Sequence, residues 1–255
     1  GGKCEEILGQ VLKNRSDLRA KMWIQSKCGI RIEEFTYFDF SKDYIIKSVD
    51  GILQRLKIDH LDSLLLHRPD ALMESDQVAE AFDFLYKQGK VRDFGVSNQN
   101  PMMMELLKKD VKQPLAVNQL QLSAAFTPGF ESGFHVNMED SQAAMRDGSI
   151  FEYCKLHDVV IQAWSVLQFG YFKGNFVGNE KFQALNQVLD RLAFKYGVTP
   201  STIAISWILR YPAKMQAVVG TTNPKHLREV SQAANFSLTR KEWYEIYLAA
   251  GNNLP

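Results

Sequence analysis

The chain has 255 residues, 45% of them hydrophobic and 23% charged, with a formal net charge of +1. That near-neutral, ordinary globular composition argues against a nucleic-acid or polyanion partner, which would call for a basic stripe. No apolar stretch reaches membrane-spanning length and no signal peptide precedes the first helix. The three cysteines, Cys4, Cys28 and Cys154, are too few and too scattered for a disulfide framework or a zinc pair, so a reducing cytoplasm is the expected setting.

The chain opens on Gly1-Gly2, without an initiator methionine and directly in front of a helix, as though cut from something longer. Ile7, Leu8, Val11 and Leu12 share a helical face over 3–13, and Met22 to Lys27 reads as a strand. A helix over 43–56 carries Ile45, Ile46, Val49, Ile52, Leu53 and Leu56 on one side, with Ser41 as N-cap. Strand 61–67, a helix near 76–88 entered through Ser75 and left at Gly89, and strand 91–97 follow. Asn100-Pro101 opens a short helix, and Leu115 to Gln121 is the next strand. The stretch 123–148 is too long for an ordinary connection and is expected to be functional or mobile. Beyond it come a helix near 149–157, strand 159–165, a helix over 182–196 stopped by Gly197, and a helix from Thr199-Pro200 to before Pro212. Strand 216–220, a helix capped by Asn223 with Pro224 first, and a last helix opened by the capping box Thr239-x-x-Glu242 complete the chain.

Strand and helix alternate throughout, which predicts a parallel sheet wrapped by helices. Six strands are expected, fewer than the eight a (β/α)8 TIM barrel of this spacing needs, so the expected N-terminal βα units would lie upstream of Gly1. With no linker-like stretch, residues 1–255 are expected to form a single domain. In such α/β folds the chemistry sits at the C-terminal ends of the strands, where two of these strands deliver titratable groups. Leu64-Leu65-Leu66 ends in His67-Arg68-Pro69-Asp70, and Met22 to Ser26 ends in Lys27-Cys28-Gly29. The working hypothesis is therefore a catalytic pair. Spacing alone leaves Lys27 open to being a snorkelling surface lysine, and His67 to being a satisfied core histidine.

Gln25-Ser26-Lys27-Cys28-Gly29, Leu61 to Asp70, Gly89 to Asn98, Val117-Asn118-Gln119, Ala163 to Leu167 and Val218 to Thr222 resemble, in order, the motifs of the aldo-keto reductase superfamily, in particular its bacterial branch of NADP-dependent oxidoreductases. The resemblance implies a (β/α)8 barrel that reduces aldehydes and ketones with NADPH through an Asp, Tyr, Lys and His tetrad. Its lysine maps onto Lys27 and its histidine onto His67, while the tyrosine would stand just before the glycine that Gly1 or Gly2 resembles, and the aspartate earlier still. An ammonium beside a phenol lowers the phenol's pKa, and a neutral imidazole hydrogen-bonds a carbonyl. By the same resemblance Ser97, Asn98 and Gln119 meet the nicotinamide carboxamide, Trp164 stacks on its ring, and Ser165, Val166 and Leu167 pass the pyrophosphate.

Gly220, Thr221, Thr222 and His226 lie where the family grips the adenosine 2′-phosphate, and Glu229 where it reaches the adenine or is merely solvated. Gly220 stands where many eukaryotic members have lysine, and His226 where arginine is usual. NADPH is the expected cofactor with NAD possible, because a neutral imidazole does not form the bidentate phosphate contact of a guanidinium, although Lys225 or Arg228 could compensate. Phe126, Phe130, Phe134 and Met138 either staple the long irregular stretch or wall the substrate pocket. No catalytic metal is expected. The rival functions are a nicotinamide-binding sensor without turnover and a lyase forming a Schiff base on Lys27.

Overall fold

The computed structural model describes residues 2–254; Gly1, one of the two glycines matched to the family pattern, and Pro255 lie outside them. The chain falls into two compact units, Gly1–Asn118 and Gln119–Pro255. Expected helices and strands recur at their places in both, and several boundaries move.

In the first unit, α1 (Lys3–Asn14) and a short α2 (Ser16–Arg19) precede β1 (Gln25–Cys28). An unanticipated antiparallel hairpin, β2 (Ile30–Ile32) and β3 (Thr36–Phe38), comes next. At three residues each, its strands are too short for the alternation of apolar and polar residues to stand out from a loop. The unit continues with α3 (Lys42–Leu56), β4 (Leu61–Leu66), α4 (Ser75–Lys87), β5 (Val91–Ser97), α5 (Pro101–Lys108) and the first residues of β6 (Leu115–Gln121). Strands β1, β4 and β5 pair in parallel, with Lys27 beside Leu65 and Leu65 beside Gly95.

Helix α3 buries Ile45, Val49, Ile52, Leu53 and Leu56, the stripe its spacing foretold. Ser41 occupies its N-cap position without making a side-chain capping bond. Helix α4 starts at Ser75 itself rather than after it, because the Ser75 hydroxyl is engaged by the carboxylate of Asp110 instead of capping the helix. Every residue of β4 is buried. Its one charge, Asp62, is satisfied by the Ile24 N–H (2.7 Å) and by Arg19 Nη1 (2.9 Å).

The second unit carries the remainder of β6, α6 (Pro128–Phe134), α7 (Ile150–Leu156), β7 (Val160–Trp164), α8 (Gln183–Tyr196), α9 (Pro200–Leu209), β8 (Met215–Ala217), α10 (Pro224–Ser231) and α11 (Arg240–Ala249). Strands β7 and β8 pair in parallel, with Gln162 beside Gln216. The caps lie where sequence puts them: Thr199 accepts from the Thr202 N–H, Asn223 from the Lys225 N–H, and Thr239 with Glu242 closes a full capping box. Strand β8 ends at Ala217 rather than Gly220; the Val218 N–H still donates to the Ala163 carbonyl of β7 at 2.8 Å.

Much of the long stretch 123–148 is ordered by aromatic packing. Phe130 of α6 is buried, with its ring centroid 5.8 Å from Tyr211, 5.4 Å from Phe151 and 5.9 Å from Trp243. Behind it Trp207 and Trp243 stack at 4.8 Å, each indole N–H donating to the other's backbone carbonyl at 3.0 Å. Phe130 and Phe134 thus staple the stretch to α9 and α11, Phe126 is half-buried, and Met138 is exposed.

Candidate active site: a cationic rim and a neutral cleft

In the first unit the candidate side chains gather at the C-terminal ends of β1, β4 and β5. Side chains of a strand alternate between faces, so register decides which of them meet. Lys27 pairs with Leu65, and His67 follows Leu65 by two residues; Leu65 pairs with Gly95, and Ser97 follows Gly95 by two. Lys27, His67 and Ser97 therefore share one face. The His67 N–H donates to the Cys28 carbonyl at 2.9 Å, which extends the β1–β4 ladder one residue beyond the strand.

Two glycines make this rim possible. A Cβ on Gly95 would lie 2.6 Å from both the Val117 carbonyl and the Leu65 side chain, so close strand packing requires its absence. Gly29, at φ +104°, turns the chain out of β1 immediately after Lys27-Cys28 and lies against the Phe40 ring.

The electrostatics of the rim follow from crowding cations in a partly buried place. Burial, and then the Arg68 guanidinium, lower the Lys27 ammonium below its ordinary value. Burial, reinforced by the positive charges of Lys27 and Arg68, pulls the His67 imidazole from 6.5 down to about 4. At neutral pH His67 is uncharged, with one ring N–H to donate and one nitrogen to accept. Cys28 does not take part: burial pushes its thiol up to about 12. Arg68 went unremarked in the sequence as an electrostatic partner, although its place next to His67 was the signal. Ser97 is buried, and its hydroxyl accepts from Asn98 Nδ2 at 2.9 Å. Asn98 itself sits in the left-handed region at φ 54°, where the chain turns off β5.

The second unit supplies an open cleft of about 540 Å³. Trp164, Ser165, Val166, Leu167, Gly220, Thr221, His226 and Glu229 all line it, whereas Thr222 does not. Four neutral polar side chains that the sequence did not mark as site residues, Gln168, Asn175, Thr199 and Ser201, line it too. Thr199 and Ser201 were legible only as a helix start, and nothing in their spacing marked them as cleft residues. Trp164 closes β7 and meets Tyr171 edge-on at 6.0 Å. Ser165 turns in the left-handed region at φ 54°, and its hydroxyl donates to Gln168 Oε1 at 3.2 Å. Beyond it the N–H groups of Val166 and Leu167 have no protein acceptor among the described residues.

Gln119 is placed two residues inside β6 rather than at its end. Its Nε2 donates to Gln162 Oε1 at 3.0 Å, and Gln162 Nε2 donates to Gln216 Oε1 at 2.9 Å. This glutamine ladder shares a strand face with Trp164, two residues after Gln162. The donor set fits a dinucleotide: a flat indole for a ring, backbone N–H groups for a pyrophosphate, and amides and hydroxyls for ribose and carboxamide.

The architecture is an α/β reductase fold of the (β/α)8 class. An aldo-keto reductase from Klebsiella pneumoniae solved with NADPH matches with a TM-score of 0.73 at 22% identity, over 96% of this chain and 74% of that one. The thermostable aldo-keto reductase Tm1743 matches at 0.71 and 24% identity, over 96% of this chain and 77% of that one. The chain belongs to the aldo/keto reductase family, whose model matches residues 1–249. It is 34% identical to oxidoreductase YdhF of Escherichia coli, over 100% of this chain and 81% of that protein. It is 31% identical to the 6-dehydroglucose reductase of Agrobacterium fabrum, over 98% of this chain and 80% of that protein. Family membership carries carbonyl-directed oxidoreductase chemistry and small-molecule substrates. No helix among the described residues is long and apolar enough to cross a membrane.

Proposed function

We propose that the chain is an NAD(P)H-dependent reductase that converts an aldehyde or ketone to an alcohol, acting as one domain in the reducing cytoplasm. One observation carries the reading: an amine and an imidazole from adjoining strands share a face, and the imidazole, lowered first by burial, is lowered further by the charge of the amine. The free thiols of Cys4, Cys28 and Cys154 support the compartment.

When bound, the reduced nicotinamide supplies a hydride to the carbonyl carbon. Trp164 offers a flat surface for its ring; Ser97, Asn98 and Gln119 offer amide and hydroxyl partners for its carboxamide. The N–H groups of Val166 and Leu167 serve the pyrophosphate, while Gly220, Thr221, Thr222, His226 and Glu229 serve the adenosine end. His67, neutral at working pH, donates its ring N–H to the substrate oxygen and orients the carbonyl. Lys27, already destabilised as a cation by burial and Arg68, lowers the pKa of a neighbouring phenol. In the family's pattern that phenol is a tyrosine preceding Gly1 or Gly2, and it protonates the alkoxide as the carbon is reduced.

The test is loss of reduced-nicotinamide absorbance with a panel of aldehydes, for the parent and for Lys27→Met. Aldehyde-dependent oxidation that disappears in the variant supports the reading; equal rates remove Lys27 from the mechanism. The depressed Lys27 amine also suits Schiff-base chemistry. Borohydride trapping of a carbonyl compound on Lys27, without nicotinamide oxidation, would favour that lyase reading instead.

A further inference from the structure

Helix α9 brings Thr199 and Ser201 to the cleft at its head, and its tail, about 15 Å away, borders another, smaller hollow. That hollow, of about 250 Å³, lies between the tail of α9, the head of α11 and Phe134 of α6. The tail of α9 leads into the N-terminal end of β8, whereas the cleft lies beyond the C-terminal ends of β7 and β8. Its walls are aromatic: Phe134, Tyr211, Trp243 and Tyr244 line it. Trp243 and Tyr244 meet edge-on at 5.1 Å, and the Phe130 ring stacks against Tyr211 at 5.8 Å. The cluster that orders the stretch 123–148 therefore also fixes these walls.

The charged groups of the lining are two guanidinium groups, Arg210 and Arg240, and no carboxylate is among them. Arg210 Nε donates to the Leu238 carbonyl at 2.8 Å, which leaves its two terminal nitrogens uncommitted. Arg240 makes no hydrogen bond or ion pair among the described residues. The acids of the neighbouring helices are engaged elsewhere. Glu242 accepts from Lys195 Nζ at 2.6 Å, Glu245 pairs with Arg191 at 2.5 Å, and Glu131 faces Arg146 at 3.8 Å. Burial first, and then the charge of Glu152, push the Tyr211 phenol up to about 12, so it stays a neutral donor; Glu152 itself does not line the hollow.

A flat ring bearing a carboxylate answers this combination. The ring replaces water against the aromatic walls, and the carboxylate matches the planar donor fork of a guanidinium. We propose that the hollow at the tail of α9 is a binding site for a small aromatic carboxylate. The site needs no nicotinamide and stands apart from the reductase reading.

Benzoate is the probe, titrated calorimetrically into the parent and into Lys27→Met, so that any anion held on the rim is told apart from one in the hollow. Binding is expected in both with a dissociation constant of about 1 mM, since partly exposed ion pairs contribute little each. Acetate has the charge without the ring and benzamide the ring without the charge; each is expected to bind at least about tenfold more weakly. Arg240→Gln, a change at an exposed position that leaves the fold intact, is expected to weaken benzoate by about fivefold or more. A benzoate constant unchanged in Arg240→Gln overturns the proposal, as does benzamide or acetate binding as well as benzoate. Heat lost in Lys27→Met, or absent in the parent up to about 20 mM benzoate, overturns it too.

Discussion

The rim of the first unit and the cleft of the second solve opposite problems. On the rim, Lys27, Arg68 and His67 crowd like charges into partly buried space, and the result is a weakened ammonium and an imidazole held neutral. The cleft holds no ammonium or guanidinium in its lining and offers backbone N–H groups, hydroxyls, amides and an indole around open volume. On the proposed reading, the difference teaches that charge is concentrated where protons and a carbonyl would be handled, while a bulky cofactor would be held by shape and neutral hydrogen bonds. Titration and binding should therefore be separable by mutation.

The sharpest break of the comparison comes from Lys27→Met. Turnover is expected to fall by about 10²–10⁴-fold, the usual reach of positioned acid–base groups, while the calorimetric affinity for NADPH stays within about twofold of the parent. An equal loss in both would show that rim and cleft are not separate in function. In the other half of the chain, Phe130→Ala removes the hub of the aromatic cluster and should cost about 3–5 kcal/mol, read as a lower urea midpoint. A midpoint unchanged from the parent would mean that stretch 123–148 is held by something other than its aromatics.

Trp164→Ala should weaken dinucleotide binding by roughly tenfold, the scale of a ring–ring contact plus its buried area, with the pH response of the rim untouched. The smallest expected effect belongs to that pH response. Because His67 titrates near 4 when folded and near 6.5 when not, the unfolded chain takes up the proton first as pH falls. This group's penalty is absent above about pH 6.5 and grows as pH drops towards 4, to roughly 1–2 kcal/mol once solvent screening is allowed for. Chemical denaturation at several pH values should show the decline in the parent and a shallower one in His67→Gln; parallel curves would place the imidazole in a more open setting.

A good deal of this was legible in the chain itself. The apolar run of β4, the stripe of α3 and the caps at Asn100, Thr199, Asn223 and Thr239 are local, because capping and periodic burial act within a few residues. The motifs around Lys27, His67, Asn98, Trp164 and Gly220 carried the family, since each is a short contiguous stretch at the end of a strand.

Tertiary structure decided the rest, because it alone determines which distant residues become neighbours. Register between β1, β4 and β5 put Lys27, His67 and Ser97 on one face, where burial lowers the imidazole and the charges of Lys27 and Arg68 reinforce it. The Gln119–Gln162–Gln216 ladder joins residues from separate strands that no sequence spacing connects. Likewise the charge inventory of the cleft, with Lys225 and Arg228 left outside it, depends on where the head of α10 faces. Local sequence specifies what each segment is; long-range packing specifies what each side chain meets, and proton affinity and ligand choice follow from the meeting.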